Sequence, residues 1–370
     1  MEKTDVLVIG GGIIGTSAAY FLSKQGIDVL LIERAEIGRG ASGATAGTMV
    51  LQSKELEAIP LRQESVRIWG ELQEEIEEDL GFRQHGGLRV AENSQQFEIL
   101  SRDVSEQRKL GLSVEILSSQ ELHSFAPFLG PSVVAASFCD KEARGDPLIA
   151  SVALAQAAQT QGARIQTHES AEQIEINGGE CFLVQTSKGL YRTSCILNCA
   201  GVWSKDIFSM VGLDFPITLS TQQAMITEQV PTLLPYIITH VEGNLSLKQL
   251  DTGNVLIGGG WEAIGDVKSN TKKVRFDSIL GNVRCACRVV PALKDLNLLR
   301  CWAGLEGRSP DLLPILGKLN HLPGFYCACC AKGGFTLGPA MSKLVSELIV
   351  NGKTSFPIEA FDVNRFTDHF

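Results

Sequence analysis

Residues 5–15 read DVLVIGGGIIG. Asp5 to Ile9 is an apolar run of strand length, and it leads at once into Gly10, Gly12 and Gly15 at the spacing G-x-G-x-x-G. From Ile13 to Gln25 the residues Ile14, Ala18, Phe21 and Leu22 recur on one helical face, and Gly26 supplies the stop. Asp28 to Ile32 (DVLLI) is a second apolar strand, closing at Glu33. Strand, glycine turn, helix, strand and acid in this order predict a βαβ unit that binds a dinucleotide. Gly10 permits the tight turn, Gly12 lets backbone N–H groups approach a pyrophosphate, and Gly15 lets helix and strand pack closely. The helix N-terminus adds partial positive charge. Glu33 stands where a carboxylate accepts hydrogen bonds from ribose hydroxyls, and its charge disfavours the 2′-phosphate of NADP.

The remaining composition narrows the class. A chain of 370 residues holds about two domains, or one large domain with an insertion. Hydrophobic residues make up 44% and charged residues 20%, which is the composition of a folded globular chain. The 33 Lys and Arg against 42 Asp and Glu give a net charge of −9, which argues against a nucleic-acid or anionic-membrane partner. Glycine, at 37 residues, exceeds the usual ~7% and marks sharp turns and close backbone approaches. The 10 cysteines are too sparse for a disulfide scaffold and match no metal spacing, so they read as buried reduced thiols and no metal is expected. The five residues from Met1 to Asp5 lack a basic leader pattern, and no apolar run is long enough to span a bilayer; the expectation is a cytoplasmic or peripheral protein.

The fingerprint alone does not separate NAD from FAD, because both present an ADP half to the same turn. The stretch after Glu33 separates them. Arg34 to Met49 reads RAEIGRGASGATAGTM, a loop of small residues in place of the next helix and strand of a nicotinamide domain. This loop resembles the second flavin-contacting loop of the D-amino acid oxidase-like FAD superfamily, in particular glycine oxidase and the β subunits of sarcosine oxidase and dye-linked proline dehydrogenase. CILNCAGVWS at Cys195 to Ser204, WAGLEGRSPDLLPILG at Trp302 to Gly317 and GGFTLGPA at Gly333 to Ala340 resemble three further motifs of that superfamily, in its order.

The resemblance implies non-covalent FAD, because relatives that attach the flavin use a Cys where this chain has Gly304; Cys301 lies three residues earlier. It implies that Ile13, Ile14, Glu33 and Arg34 meet the ADP half, and that Ala41, Ser42, Ala46, Gly47 and Thr48 meet the pyrophosphate and the flavin edge. Ala171 aligns with a position whose backbone contacts adenine. Ala200 and Gly201 belong to the A-G-x-W-S turn, and Cys330, Ala331, Lys332, Gly333, Gly334, Phe335 and Thr336 form the loop under the isoalloxazine ring. A helix from about Gly338 would aim its N-terminus at the ring and favour the anionic reduced flavin.

The fold class expected is α/β, a Rossmann-like FAD-binding domain with an interleaved antiparallel-sheet substrate cap. The nucleotide domain takes residues 1–83, 145–213 and 300–370, and the cap takes 84–144 and 214–299. Within these, Glu64 to Leu80 reads as a helix with Val66, Trp69, Leu72 and Ile76 on one face, the acidic run 74–79 being its solvated side. Asp146 and Pro147 read as the start of a helix that ends before Gly162. Strands come next at Arg164 to Thr167, Glu172 to Ile176, Cys181 to Thr186 and Ser194 to Asn198, with Gly178-Gly179 as a turn; Ala224 to Thr227 and Asn254 to Gly258 are cap strands.

The reaction implied is oxidation of a C–N bond: a small primary or secondary amino acid, or an opine-like amine, is taken to its imine by hydride transfer to flavin N5. Relatives of the glycine oxidase type hold the substrate carboxylate with an Arg in W-A-G-L-R, a second Arg in the final loop and a cap Tyr. Here those positions are Glu306, Lys332 and Leu245. Glu306 and Lys332 are therefore the candidate catalytic residues, Glu306 facing a cationic or hydrogen-bond-donating part of the substrate and Lys332 offering a carboxylate clamp or a hydrogen bond near flavin N5. The competing expectation is that Glu306 and Lys332 pair with each other, or that Glu306 braces its loop. Asp311 reads as orienting loop backbone, Arg308 as site residue or surface charge, and Trp203, Trp261 and Trp302 as core packing. Alternatives of other kinds are a 2-hydroxy acid dehydrogenase of the same superfamily and a non-catalytic flavin subunit. A partner electron-transfer subunit or a homo-oligomer is compatible with each.

Overall fold

The computed structural model describes residues 1–52, 55–177 and 181–369, so the expected Gly178-Gly179 turn lies outside the described residues. Strand Glu2–Ile9, helix Ile13–Ser23 and strand Val29–Glu33 form the predicted βαβ unit, its two strands parallel. Val6, Leu7, Val8 and Ile9 are all buried, as a strand covered on both faces requires. The helix stops where Gly26 takes φ +79° and Ile27 N–H bonds back to the Leu22 carbonyl.

Around this unit runs a parallel sheet in the order Phe325–Cys329, Leu190–Asn198, Glu2–Ile9, Val29–Glu33, Arg164–Thr167. Ile315–Lys318 adds antiparallel to its outer strand. Cys181–Thr186 and Ala171–Asn177 form an antiparallel flap on Leu190–Asn198. From Glu2–Ile9 the chain builds outward in one direction first and later returns to add Leu190–Asn198 on the other side. The turns at Gly10 and Cys199 therefore open a crevice at the carboxyl ends of these two strands, where ligands of such sheets bind. Helices Ala150–Thr160 and Gly334–Asn351 pack beside Ile13–Ser23. Closeness is enforced at Gly338, where a Cβ would lie 2.9 Å from Ile13 Cγ2.

A second sheet runs Leu298–Arg308, Thr218–Gln229, Asn254–Gly258, Ser246–Gln249, Ile237–His240, Gly87–Ala91, Ala135–Cys139, Glu115–Leu117. It is not wholly antiparallel: Ile237–His240 and Gly87–Ala91 run parallel, since they come from distant segments and no hairpin constrains them. Helix Phe276–Val289 buries Cys285, Ala286 and Val289 against this sheet's core of Leu88, Val90, Met225, Ile238, Leu247 and Ile257. Residues 300–308, expected with the nucleotide-binding part, are by hydrogen bonding an edge strand of the second sheet, paired from Leu298 with Thr227 to Arg308 with Thr218.

Three helix boundaries differ from expectation. The helix read at Glu64 to Leu80 is Ile59–Glu75. Pro60 suits its first turn, whereas the acidic run at its end opposes the dipole, and Glu77 turns left-handed at φ 55°. Asp146 heads a turn, its carboxylate accepting from Leu148 N–H at 2.8 Å, and the helix proper is Ala150–Thr160. The final helix begins at Gly334, four residues before the expected start. Pro339 lies inside it, and the chain enters through Gly333 at φ +74°.

Candidate functional site

Backbone geometry builds one end of the site. Gly10 holds φ +113°, and a Cβ there would lie 2.6 Å from the Cys199 carbonyl oxygen. A Cβ on Gly15 would meet the Gly10 oxygen at 1.9 Å. Either side chain would push the helix off the crevice. The Ser42 hydroxyl accepts from Ile13 N–H at 2.9 Å, fixing the small-residue loop over the helix N-terminus. Glu33 takes a role beyond the one expected: its two carboxylate oxygens accept Gly11 N–H at 2.7 Å and Ala35 N–H at 2.8 Å, so it shapes the glycine turn as well as facing the crevice. Each oxygen retains a further lone pair for a ribose hydroxyl.

From this turn a cavity of about 1460 Å³ extends to the final glycine-rich loop. Among the expected cofactor residues, Gly10, Gly12, Ile13, Ile14, Glu33, Arg34, Ala41, Ser42, Ala171, Ala200, Gly201, Cys330, Ala331, Gly333, Gly334 and Phe335 line it. Gly15, Ala46, Gly47, Thr48, Lys332 and Thr336 do not line it. The volume exceeds the roughly 300–1,000 Å³ of ordinary ligand sites, leaving room for a substrate beside a long cofactor. A dinucleotide with a planar ring fits this outline: a Cβ-free cradle stands at one end, and at the other the wall is formed by the first turn of helix Gly334–Asn351, whose N–H groups lack intrahelical partners.

The second sheet supplies the facing wall through Trp302, Ala303, Leu305 and Glu306 of its edge strand. Trp302 Nε1 donates to the Ala44 carbonyl at 2.8 Å, and a Cβ on Gly304 would lie 2.6 Å from Ala44 Cβ, so strand and small-residue loop are in contact. Trp203 and Trp302 were expected in the core; both are half-buried on the cavity wall instead. The Arg34 guanidinium lies 3.5 Å from the Trp203 ring centroid. Trp69 is the fully buried one, and its indole donates to the Thr336 carbonyl at 3.1 Å.

Glu306 and Lys332 do not pair with each other. Glu306 Oε2 accepts from Arg308 Nε at 2.9 Å and Nη2 at 2.8 Å, because residues two apart on a strand share a face. Lys332 Nζ instead donates to Glu55 Oε1 at 2.6 Å. Asp311 accepts from Leu313 N–H at 3.1 Å and pairs with Arg365. All ten cysteines are free, with Cys181, Cys287 and Cys301 only half-buried, and burial pushes the Cys199 and Cys330 thiols well above their ordinary value.

Sequence reasoning missed three buried polar residues outside the cavity lining, Arg62, Glu142 and Lys248, and the half-buried Glu55. Arg62 donates to the Lys332 carbonyl at 2.8 Å. Glu142 accepts from Leu51 and Gln52 N–H at 2.8 and 2.9 Å, and burial lifts its carboxyl to about 7. Lys248 donates to the Gly145 carbonyl at 3.0 Å, and burial lowers its amine to about 7. Glu55 holds Lys332. Arg62 alone carried a signal: it stands four residues before Val66 and so extends an apolar helical stripe with a charge.

Comparison with known proteins agrees with this architecture. A family model described as DAO, FAD dependent oxidoreductase, matches residues 5–348. The B subunit of opine oxidase from Rhizobium meliloti is 27% identical over 99% of this chain and 98% of its own. Mitochondrial dimethylglycine dehydrogenase of Rattus norvegicus is 24% identical over 99% of this chain and 45% of its own, so this chain spans less than half of that relative. The crystal structure of L-proline dehydrogenase from P. horikoshii superposes with a TM-score of 0.92 at 29% identity, covering 100% of this chain and 99% of that one. Among the described residues, no helix is long and apolar enough to cross a membrane. The crevice, the cradle without side chains and a family match running almost end to end make this chain a member of the DAO family of FAD-dependent oxidoreductases.

Proposed function

We propose that this chain oxidises the C–N bond of a small primary or secondary amino acid, or of an opine-like amine, to an imine that water then hydrolyses. The observation that carries the reading is Glu306, a carboxylate on the cavity wall where a plain amino-acid oxidase of this kind needs a cation. Both contacts from Arg308 end on Oε2, which leaves Oε1 as acceptor for a substrate N–H. Such a bond orients an amine whose lone pair is free to assist hydride departure. FAD, when bound, supplies the two-electron acceptor. Lys332 pairs with Glu55 and does not line the cavity, so the substrate contact in this reading falls to Glu306.

In this reading residues 1–83, 145–213 and most of 300–370 bind FAD non-covalently, and the second sheet is the substrate cap. Acid precipitation then releases the flavin into the supernatant. The likeness to a protein named as one subunit of an opine oxidase supports a partner chain that takes electrons from the flavin. The 2-hydroxy acid alternative is not favoured, since the opine oxidase subunit, dimethylglycine dehydrogenase and L-proline dehydrogenase described above are named for amine and amino-acid oxidation. The test is an anaerobic screen of amines with Glu306→Gln beside the parent. A true donor bleaches the parent's flavin, and the variant should lose roughly 10- to 100-fold in kcat/KM while retaining FAD. Equal turnover and affinity in the two would end the Glu306 assignment.

A further inference from the structure

Arg62 is 5% exposed and lies one atomic layer behind the cavity wall. Its Nη2 donates to the Lys332 carbonyl at 2.8 Å, in the final glycine-rich loop, and its Nη1 stands 3.5 Å from the Val50 carbonyl, just beyond the small-residue loop. A Cβ on Gly333, which lines the cavity, would fall 2.6 Å from Nη1, so only glycine lets the guanidinium lie there. Glu55 Oε2 is 3.9 Å from Nη2, while Glu55 Oε1 is engaged by Lys332. Arg62 Nε has no partner among the described residues. A rigid planar fork that reaches two segments at once is a task arginine performs and lysine does not.

The charges do not cancel. Among the described residues, the two cations Arg62 and Lys332 share the carboxylate of Glu55, while Glu306, which also attracts Arg62 through space, is matched by Arg308. Glu142 also faces Arg62 through space, but its carboxyl, lifted to about 7, carries only part of a charge near neutrality. A buried cation in a low-dielectric wall acts strongly on charge that develops beside it.

We propose that Arg62 is a positioning residue that staples the two loops at the ring end of the FAD cavity and holds an only partly compensated positive charge behind them, favouring the reduced, anionic flavin. This rests on residues 330–336 facing the isoalloxazine ring, and it makes no assumption about the amine oxidised. The experiment is a dithionite titration of the FAD-loaded protein against a reference dye, giving the flavin midpoint potential without any substrate. Arg62→Met should lower the potential and slow anaerobic reduction by a true donor about tenfold, equivalent to ~1.4 kcal/mol. Arg62→Lys should keep the potential near that of the parent but alter the flavin's visible band, because the second loop contact is lost. Glu55→Gln should raise the potential, the opposite sign, and it serves if Arg62→Met does not fold. An unchanged potential in Arg62→Met, or a lowered one in Glu55→Gln, overturns the proposal. A parent that takes up FAD and titrates but is bleached by no amine refutes the proposed function and leaves this inference standing.

Discussion

The two ends of the cavity are made of different materials. At the end built on the glycine turn, the site is made of backbone and missing side chains: Gly10, Gly12 and Gly15 clear the space, and Glu33 and Ser42 fix N–H groups. At the other end the wall is backed by charge: Glu306 of the edge strand lines it with Arg308 beside it, while Lys332 of the final loop, Arg62 of helix Ile59–Glu75 and Glu55 of the segment before it stand outside the lining. A backbone cradle tolerates almost no substitution and says little about chemistry. A charge network tolerates exchange of members and decides what is bound.

Three experiments sharpen that contrast. The largest effect is expected for Gly15→Ala, because a Cβ 1.9 Å from the Gly10 oxygen forces helix and strand apart. At the usual 1–3 kcal/mol for overpacking, FAD affinity should fall by roughly 5- to 150-fold, read by fluorescence titration of apoprotein. An alanine variant that binds FAD like the parent would show that the cradle is not what holds the cofactor. Glu33→Gln should come second with roughly a tenfold loss. There the loss of charge weakens the hold on Gly11 and Ala35 N–H groups, and a larger loss for FAD than for FMN would place the damage at the adenylate.

The smallest effect concerns Lys248, between the ends. Folding lowers its amine from 10.5 to about 7, so the unfolded chain holds that proton more tightly across this window. The parent therefore loses stability as the pH falls from 10 toward 7, and levels off below. Lys248→Met has no amine to desolvate, and its thermal midpoint should gain on the parent's by roughly a few degrees over the same interval. A gap that does not change with pH would mean that Lys248 is solvated in solution.

How much was legible follows the same division. The βαβ unit and its glycines were readable because local periodicity and spacing encode them directly: Glu2–Ile9, Ile13–Ser23 and Val29–Glu33 fall within a few residues of expectation. The strands Arg164–Thr167, Cys181–Thr186 and Asn254–Gly258 match residue for residue. The start of the last helix was misread because Pro339 looks like a first-turn residue, while the left-handed Gly333 that truly opens it has no sequence signature separate from its neighbour Gly334. The pairing of Leu298–Arg308 with Thr218–Gln229 was not legible because strand partners 80 or so residues apart leave no trace in either segment.

By itself the sequence determined that a dinucleotide is bound and where backbone must come close without side chains, since these are local matters of spacing and residue type; that Glu306 stands where relatives carry an Arg is what the resemblance implies. Only the tertiary structure decided whom the charges meet. Glu306 met Arg308, its neighbour two residues along the strand, whereas Lys332 went to Glu55 and Arg62 came to lie under Gly333, because partners separated by 270 residues or more are chosen by how sheets and helices stack.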